Sequence, residues 1–185
     1  MIIGLTGSYC SGKDTVAAYI VKKCGYKHYS LSDIIREIMN KKDIKPIRAS
    51  MILFGTQLRE EKGNGILAKK VLEKIGLNDN FCITSIRHSD EVKELKKRKK
   101  FTLINIDAPQ NIRFARMKDR KRPGDPLTLE KFVEFEKKES QIEGSGQQLL
   151  KTAALSDITF VNDLNDMAAL EVRIDKLLKN IENKK

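Results

Sequence analysis

The sequence predicts an α/β fold in which helices cover both faces of a mostly parallel sheet. Three observations carry that expectation. Short apolar runs of strand length alternate with amphipathic stretches of helix length along the chain. The first such run, residues 2–6 (Ile-Ile-Gly-Leu-Thr), passes directly into residues 7–15 (Gly-Ser-Tyr-Cys-Ser-Gly-Lys-Asp-Thr), a G-x-x-x-x-G-K loop that opens a helical pattern. No internal repeat and no linker-like segment divides the 185 residues, a length suited to one domain with a sizeable core.

The elements follow in order. After the loop, Val16, Ala17, Ile20, Val21 and Cys24 recur on one helical face. Residues 28–31 form a short strand candidate and 32–42 a helix. A further helix begins at Pro46, with Ile47, Met51, Phe54 and Leu58 at helical spacing. Gly63-Asn64-Gly65 breaks it, and 66–75 makes another. Residues 81–84 read as a buried strand. Ser89 has the chemistry to cap a helix over 90–97. A strand over 101–106 ends at Asp107-Ala108-Pro109, and a very basic helix follows over 110–121. Arg122-Pro123-Gly124-Asp125-Pro126 is the strongest break in the chain. Helices over 128–141 and up to Leu155, a strand over 158–161 and a closing helix with Leu170, Ile174, Leu177, Leu178 and Ile181 inward complete the alternation.

Composition narrows the partners. No stretch is long and apolar enough to span a bilayer, and the first residues carry no charged leader, so neither membrane nor export is expected. Cys10, Cys24 and Cys82 are scattered without metal spacing, which suits a reducing cytoplasm. The net charge of +11, from 36 Lys+Arg against 25 Asp+Glu, fits either nucleic acid or polyanionic small substrates. Small substrates are favoured. The densest basic run, residues 96–100, sits at a helix end, where lysines complement the dipole, and no aromatic residues interleave with it.

The 7–15 loop carries the chemistry. Its glycines let successive N–H groups point at a phosphate, and the following helix N-terminus adds its dipole. Gly7, Ser8, Ser11, Gly12, Lys13, Asp14 and Thr15 are therefore the nucleotide-binding candidates, with Lys13 reaching the β- and γ-phosphates. Ligands of open parallel sheets lie beyond the C-terminal strand ends. That rule singles out Ser32-Asp33, residues 85–87, Asp107 and Asn162-Asp163. Arginines follow several strands, and their planar fork suits phosphate. Arg113, Arg116 and Arg120 share one helical face, whose mutual repulsion an anion would relieve. The break after Arg122 reads as the hinge of a flap that excludes water. Glu134, Glu136 and Glu139 with Lys131, Lys137 and Lys138 read as a solvated face, His28 as packing or edge surface, and His88 as incidental.

Ser32-Asp33-Ile34-Ile35-Arg36 resembles the G-D-x-x-R segment of adenylate kinases. Arg48, Gly55, Leu58-Arg59-Glu60 and residues 63–68 resemble the acceptor-side helices of related P-loop nucleotide kinases, including dephospho-coenzyme A kinases. Thr84-Ser85-Ile86-Arg87 with Glu91-Val92 is similar to that group's D-G-I-R strand end. Residues 116–128 resemble its lid, and Gly144, Gly146 and residues 161–163 its late motifs. The resemblance implies a three-layer P-loop kinase fold with a five-stranded parallel sheet, spanning 1–185 as one domain. It also implies an acceptor-binding helical region at about 32–76 and a lid at about 116–146. The implied reaction moves the γ-phosphate of ATP, with Mg²⁺, to a nucleoside or deoxynucleoside monophosphate or a similar phosphorylated acceptor.

Carried over by residue, Lys13, Arg116, Arg120 and Arg122 would stabilise the transferring phosphate, and Asp33, Arg36, Arg59 and Arg87 would hold the acceptor. Thr84 stands where the group often has Asp, and Asp14 where a hydroxyl is usual. Asp14 is thus the metal candidate, in a G-K-D-T loop similar to those of phage-type deoxynucleoside monophosphate kinases and animal phosphomevalonate kinases. Dephospho-coenzyme A kinase is the nearest rival, because residues 3–7 resemble it. A nucleotide sensor or nucleic-acid-binding ATPase is the rival from another class.

Overall fold

The structure, a computed structural model, describes residues 1–76, 79–121, 125–140 and 144–183. These residues include strands β1 (Ile2–Gly7), β2 (Lys27–Ser30), β3 (Phe81–Thr84), β4 (Phe101–Asp107) and β5 (Ile158–Val161). The strands form one sheet in the order β2-β3-β1-β4-β5, with every neighbouring pair parallel. The connections carry helices α1 (Lys13–Cys24), α2 (Leu31–Asn40), α3 (Arg48–Lys62), α4 (Ile66–Lys74), α5 (Ser89–Lys96), α6 (Gln110–Arg120), α7 (Leu129–Ser140), α8 (Leu149–Ala154) and α9 (Met167–Asn183). This is the three-layer α/β architecture that the alternation predicts.

All six residues of β1 are buried, because a central parallel strand is covered on both faces. Ile3 and Leu5 pack with Val16, Ala17 and Ile20 of α1 and with Leu170, Ile174 and Leu177 of α9. Ile2 belongs to the opposite layer, with Ile34 and Ile35 of α2, Leu67 and Val71 of α4, and Val92 and Leu95 of α5. β1 lies between β3 and β4, and the chain leaves β1 toward β2 on one side while β4 leads to β5 on the other, so the loop after β1 opens at the sheet's topological switch point.

Some expectations shift. The cap of α5 is His88, not Ser89: His88 Nδ1 accepts from the Asp90 amide at 3.1 Å, while Ser89 Oγ donates to Gln148 Oε1 at 3.3 Å. His88 is buried, with its Nε2 donating to the Gly144 carbonyl at 3.1 Å, so its ring ties α5 to the Gly144 turn. The Glu136 side chain is not part of a solvated face, since it accepts from Arg113 and Gln110 and draws α7 onto α6. Arg122, Pro123 and Gly124, at the expected hinge, lie outside the described residues.

Candidate active site

Backbone conformation builds the loop after β1. Gly7 has φ 137°, and a Cβ there would lie 1.9 Å from the Ile106 carbonyl oxygen. Gly12 has φ 88°, and its Cβ would meet Asn162 Nδ2 at 2.3 Å. Neither position admits a side chain, which is the physical content of the two glycines in the motif. Asn162, just beyond β5, donates its Nδ2 to the Ser11 carbonyl at 2.8 Å. Its backbone amide donates to the Asp107 carbonyl at 2.7 Å. Ser8 Oγ donates to Asp107 Oδ1 at 2.8 Å. The ends of β4 and β5 thus brace the loop from behind.

Lys13 curls over this loop, donating to the carbonyls of Gly7 at 3.0 Å and Ser8 at 2.6 Å. Burial, and after it the nearby Arg87 guanidinium, hold its ammonium down at about 8, against the ordinary 10.5. A crowded cation of this kind gains most from an anion placed beside it.

A cleft of about 1320 Å³ runs from the loop to α2 and α3. Gly12, Lys13, Asp14, Thr15, Asp33, Arg36, Arg59, Arg87, Arg116 and Arg120 all line it, so tertiary folding gathers residues from five separate segments. Gly7 lines a small adjoining cavity with Lys13 and Arg87. Ser8 turns to Asp107, and Ser11 is fully buried. Asp14 is exposed in the first turn of α1. Among the described residues no three His, Cys, Asp or Glu side chains converge as a ready metal cage.

The cationic residues differ in how they are held. Arg36 pairs with Asp33 on one exposed turn and donates to Ser32 Oγ at 3.0 Å. Arg87 donates to Gln147 Oε1 at 2.8 Å. Arg59 is buried and donates through Nε and Nη2 to Glu91 Oε1 at 3.1 and 2.8 Å. The other oxygen of Glu91 accepts the amides of Arg87 and His88 at 2.8 and 3.1 Å. Arg59 therefore braces the segment that carries Arg87. Arg116 donates to the Asn162 and Leu164 carbonyls at 3.0 and 2.8 Å. Arg120 pairs with Asp125, and Arg113 with Glu136. The expected repulsion along α6 is thus offset within the protein by carbonyls and two carboxylates.

Sequence reasoning did not single out Tyr9. Its ring lies 4.5 Å from the guanidinium carbons of both Arg48 and Arg120. Its hydroxyl donates to Asp125 Oδ1 at 2.8 Å, and burial together with that bond raises the phenol pKa. Phe135 of α7 packs against Tyr9 with its ring tilted and the centroids 5.4 Å apart, so the loop, α3 and α7 meet on one ring. The only available signal was one aromatic residue in a loop of small ones. His28 lies on edge strand β2, its Nε2 3.0 Å from Thr84 Oγ1.

A family model described as an AAA domain matches residues 6–133. The UPF0200 protein of Sulfurisphaera tokodaii is 31% identical over 180 residues, covering 97% of each chain. The chain belongs to the UPF0200 family. A second UPF0200 protein, from Hyperthermus butylicus, is 30% identical over 183 residues, covering 98% of this chain and 95% of its own. Among solved structures, shikimate kinase from Acinetobacter baumannii in complex with shikimate superposes with a TM-score of 0.61 at 16% identity, covering 100% of this UPF0200 chain and 94% of the kinase. TT1252 from Thermus thermophilus superposes with a TM-score of 0.63 at 18% identity, covering 100% and 97%. At these identities the likeness establishes a P-loop kinase fold for this UPF0200 protein. No helix among the described residues is long and apolar enough to cross a membrane.

Proposed function

We propose that this UPF0200 protein is an ATP-dependent phosphotransferase acting on a nucleoside or deoxynucleoside monophosphate or a similar small phosphorylated acceptor. The observation that carries the reading is the single cleft joining the Lys13 loop to Asp33, Arg36 and Arg87 at the β2 and β3 ends. A nucleotide sensor needs a phosphate loop. A second set of arginines in the same cleft suits a second anion.

Phosphoryl transfer asks a protein chiefly for positioning and positive charge around the moving group. Lys13, curled over its loop, would follow the β- and γ-phosphates. Arg87, close enough to depress the Lys13 ammonium, lines the same cleft. A phosphate acceptor is already a nucleophile at neutral pH and needs no base. This matches a cleft in which Asp33 pairs with Arg36 and Asp125 with Arg120. Mg²⁺ would arrive with the nucleotide and take one protein carboxylate and several waters. Asp14, exposed beside Lys13, is the residue to supply that carboxylate, and the bound ion would offset charge on the phosphates.

A coupled ADP-release assay over nucleoside and deoxynucleoside monophosphates, dephospho-coenzyme A and phosphomevalonate tests the reading. Acceptor-dependent ADP formation with a monophosphate is expected. Turnover with dephospho-coenzyme A alone would move the acceptor group to a hydroxyl, and hydrolysis stimulated only by nucleic acid would overturn the proposal.

A further inference from the structure

Three serine hydroxyls meet in the cleft wall where β2 and β3 end. Ser30 Oγ donates to Ser85 Oγ at 2.9 Å and lies 2.8 Å from Ser32 Oγ. Ser85 Oγ donates to Ser32 Oγ at 3.4 Å. Arg36 Nη1 donates to Ser32 as well, at 3.0 Å. All three serines line the main cleft, and Ser85 also lines the small cavity that holds Lys13 and Arg87.

Two features set this cluster apart from incidental packing. Ser30 is the N-cap residue of α2, yet its side chain caps no helix amide. Its hydroxyl is turned into the cluster, against the usual habit of an N-cap serine. Ser85 adopts φ 61°, in the left-handed region that favours glycine. A glycine would satisfy that backbone without strain, so what the serine adds there is its hydroxyl.

Counting protons tells what the cluster can bind. Each serine has one proton and two lone pairs. With Ser30 donating to Ser85 and Ser85 to Ser32, the Ser32 proton is left for Ser30, and the ring consumes all three. Ser32 then also accepts from Arg36, and Ser30 is buried. The accessible capacity is a lone pair on Ser85. An oxyanion there would face lone pairs, while Lys13, Arg36 and Arg87 stand nearby to receive it. We infer that Ser85 is a specificity-determining subsite for a neutral hydrogen-bond donor of the acceptor, either a sugar hydroxyl or an exocyclic amine. The inference rests on the phosphotransferase reading for the word acceptor, but its binding chemistry stands apart from turnover.

The experiment is calorimetric binding of matched monophosphates to the whole protein and to Ser85→Gly and Ser85→Ala, with ADP release measured in parallel. AMP against dAMP tests the sugar hydroxyl, and AMP against IMP, with CMP against UMP, tests the amine. The parent should prefer the donor-bearing member of one pair by about tenfold, the equivalent of one neutral hydrogen bond. Both variants should bring that ratio close to one. Ser85→Gly, which also removes the left-handed strain, should melt no lower than the parent. Equal affinities within every pair, or a preference unchanged in Ser85→Gly, would overturn the inference alone. Discriminating binding without any ADP release would overturn only the phosphotransferase reading. Absence of binding by every monophosphate would overturn both.

Discussion

At the phosphate-loop end of the cleft Arg120 pairs with Asp125, but two other cations are held by main-chain carbonyls. Lys13 rests on Gly7 and Ser8, and Arg116 on Asn162 and Leu164. At the far end they are held by side chains: Arg36 by Asp33, Arg59 by Glu91, Arg87 by Gln147. A carbonyl stays in place whatever residue bears it, so the first arrangement is specified by backbone shape and a short motif. A side-chain pair exists only while both partners persist. One substitution can therefore release a far-end cation, whereas Lys13 and Arg116 depend on no partner side chain for these contacts.

The largest effect should come from breaking the buried pair. Arg59 and Glu91 side chains are 4% and 0% exposed. Arg59→Ala leaves a buried carboxylate facing no cation and should cost about 3–5 kcal/mol of stability by urea unfolding. The exposed Arg36–Asp33 pair on the same side should cost less than about 1 kcal/mol when broken by Arg36→Ala. Equal losses for the two variants would dissolve the distinction between a brace and a surface contact.

Next is Lys13→Ala. Because the amine is held by carbonyls of its own loop, the fold should survive. Under the phosphotransferase reading, turnover should fall by about 10²–10³, the usual effect of losing one preorganised charge contact. A well-folded variant with parental turnover would remove Lys13 from the reaction.

The same lysine gives a pH signature. Its ammonium titrates at about 8 in the folded protein and at the ordinary 10.5 when unfolded. Between those values the unfolded chain binds more protons, so this group makes stability rise with pH across the window. An anion beside Lys13 favours the charged form, so nucleotide binding should take up a proton there and weaken by up to about tenfold per pH unit. Calorimetry at pH 9 in two buffers of different ionisation enthalpy reads that uptake, and buffer-independent heats would refute it.

The smallest effect is expected at Asp14. If its carboxylate faces the metal, Asp14→Asn should raise the Mg²⁺ concentration for half-maximal activity severalfold, and Asp14→Ser should recover part of the loss. Superimposable magnesium titrations would leave Asp14 only its place in the first turn of α1.

Legibility in the sequence followed the same division. The Gly7 to Thr15 loop, the parallel sheet and most helices were readable from spacing, because a motif or a periodic face is local. Tyr9 was not, because its significance depends on Arg48, Arg120, Asp125 and Phe135 arriving from three other segments. Glu136 appeared to be a surface charge until α7 was set against Arg113. Arg59 looked like the other cleft arginines, and only the depth of Glu91 distinguishes it.

By itself, then, the order of residues determined the strand–loop–helix around Lys13, the alternation that places helices on two faces, and the set of polar residues at strand ends. These follow from short-range sterics and hydrophobic period, which act within a few residues. Tertiary structure alone decided which arginines face the cleft and which brace it. It turned the Ser30 hydroxyl away from its helix and brought it to Ser85, 55 residues further along the chain. Hydrogen-bond partners at such separations are chosen by the packing of α2, α4 and α5 on the sheet, and no spacing in the sequence encodes them.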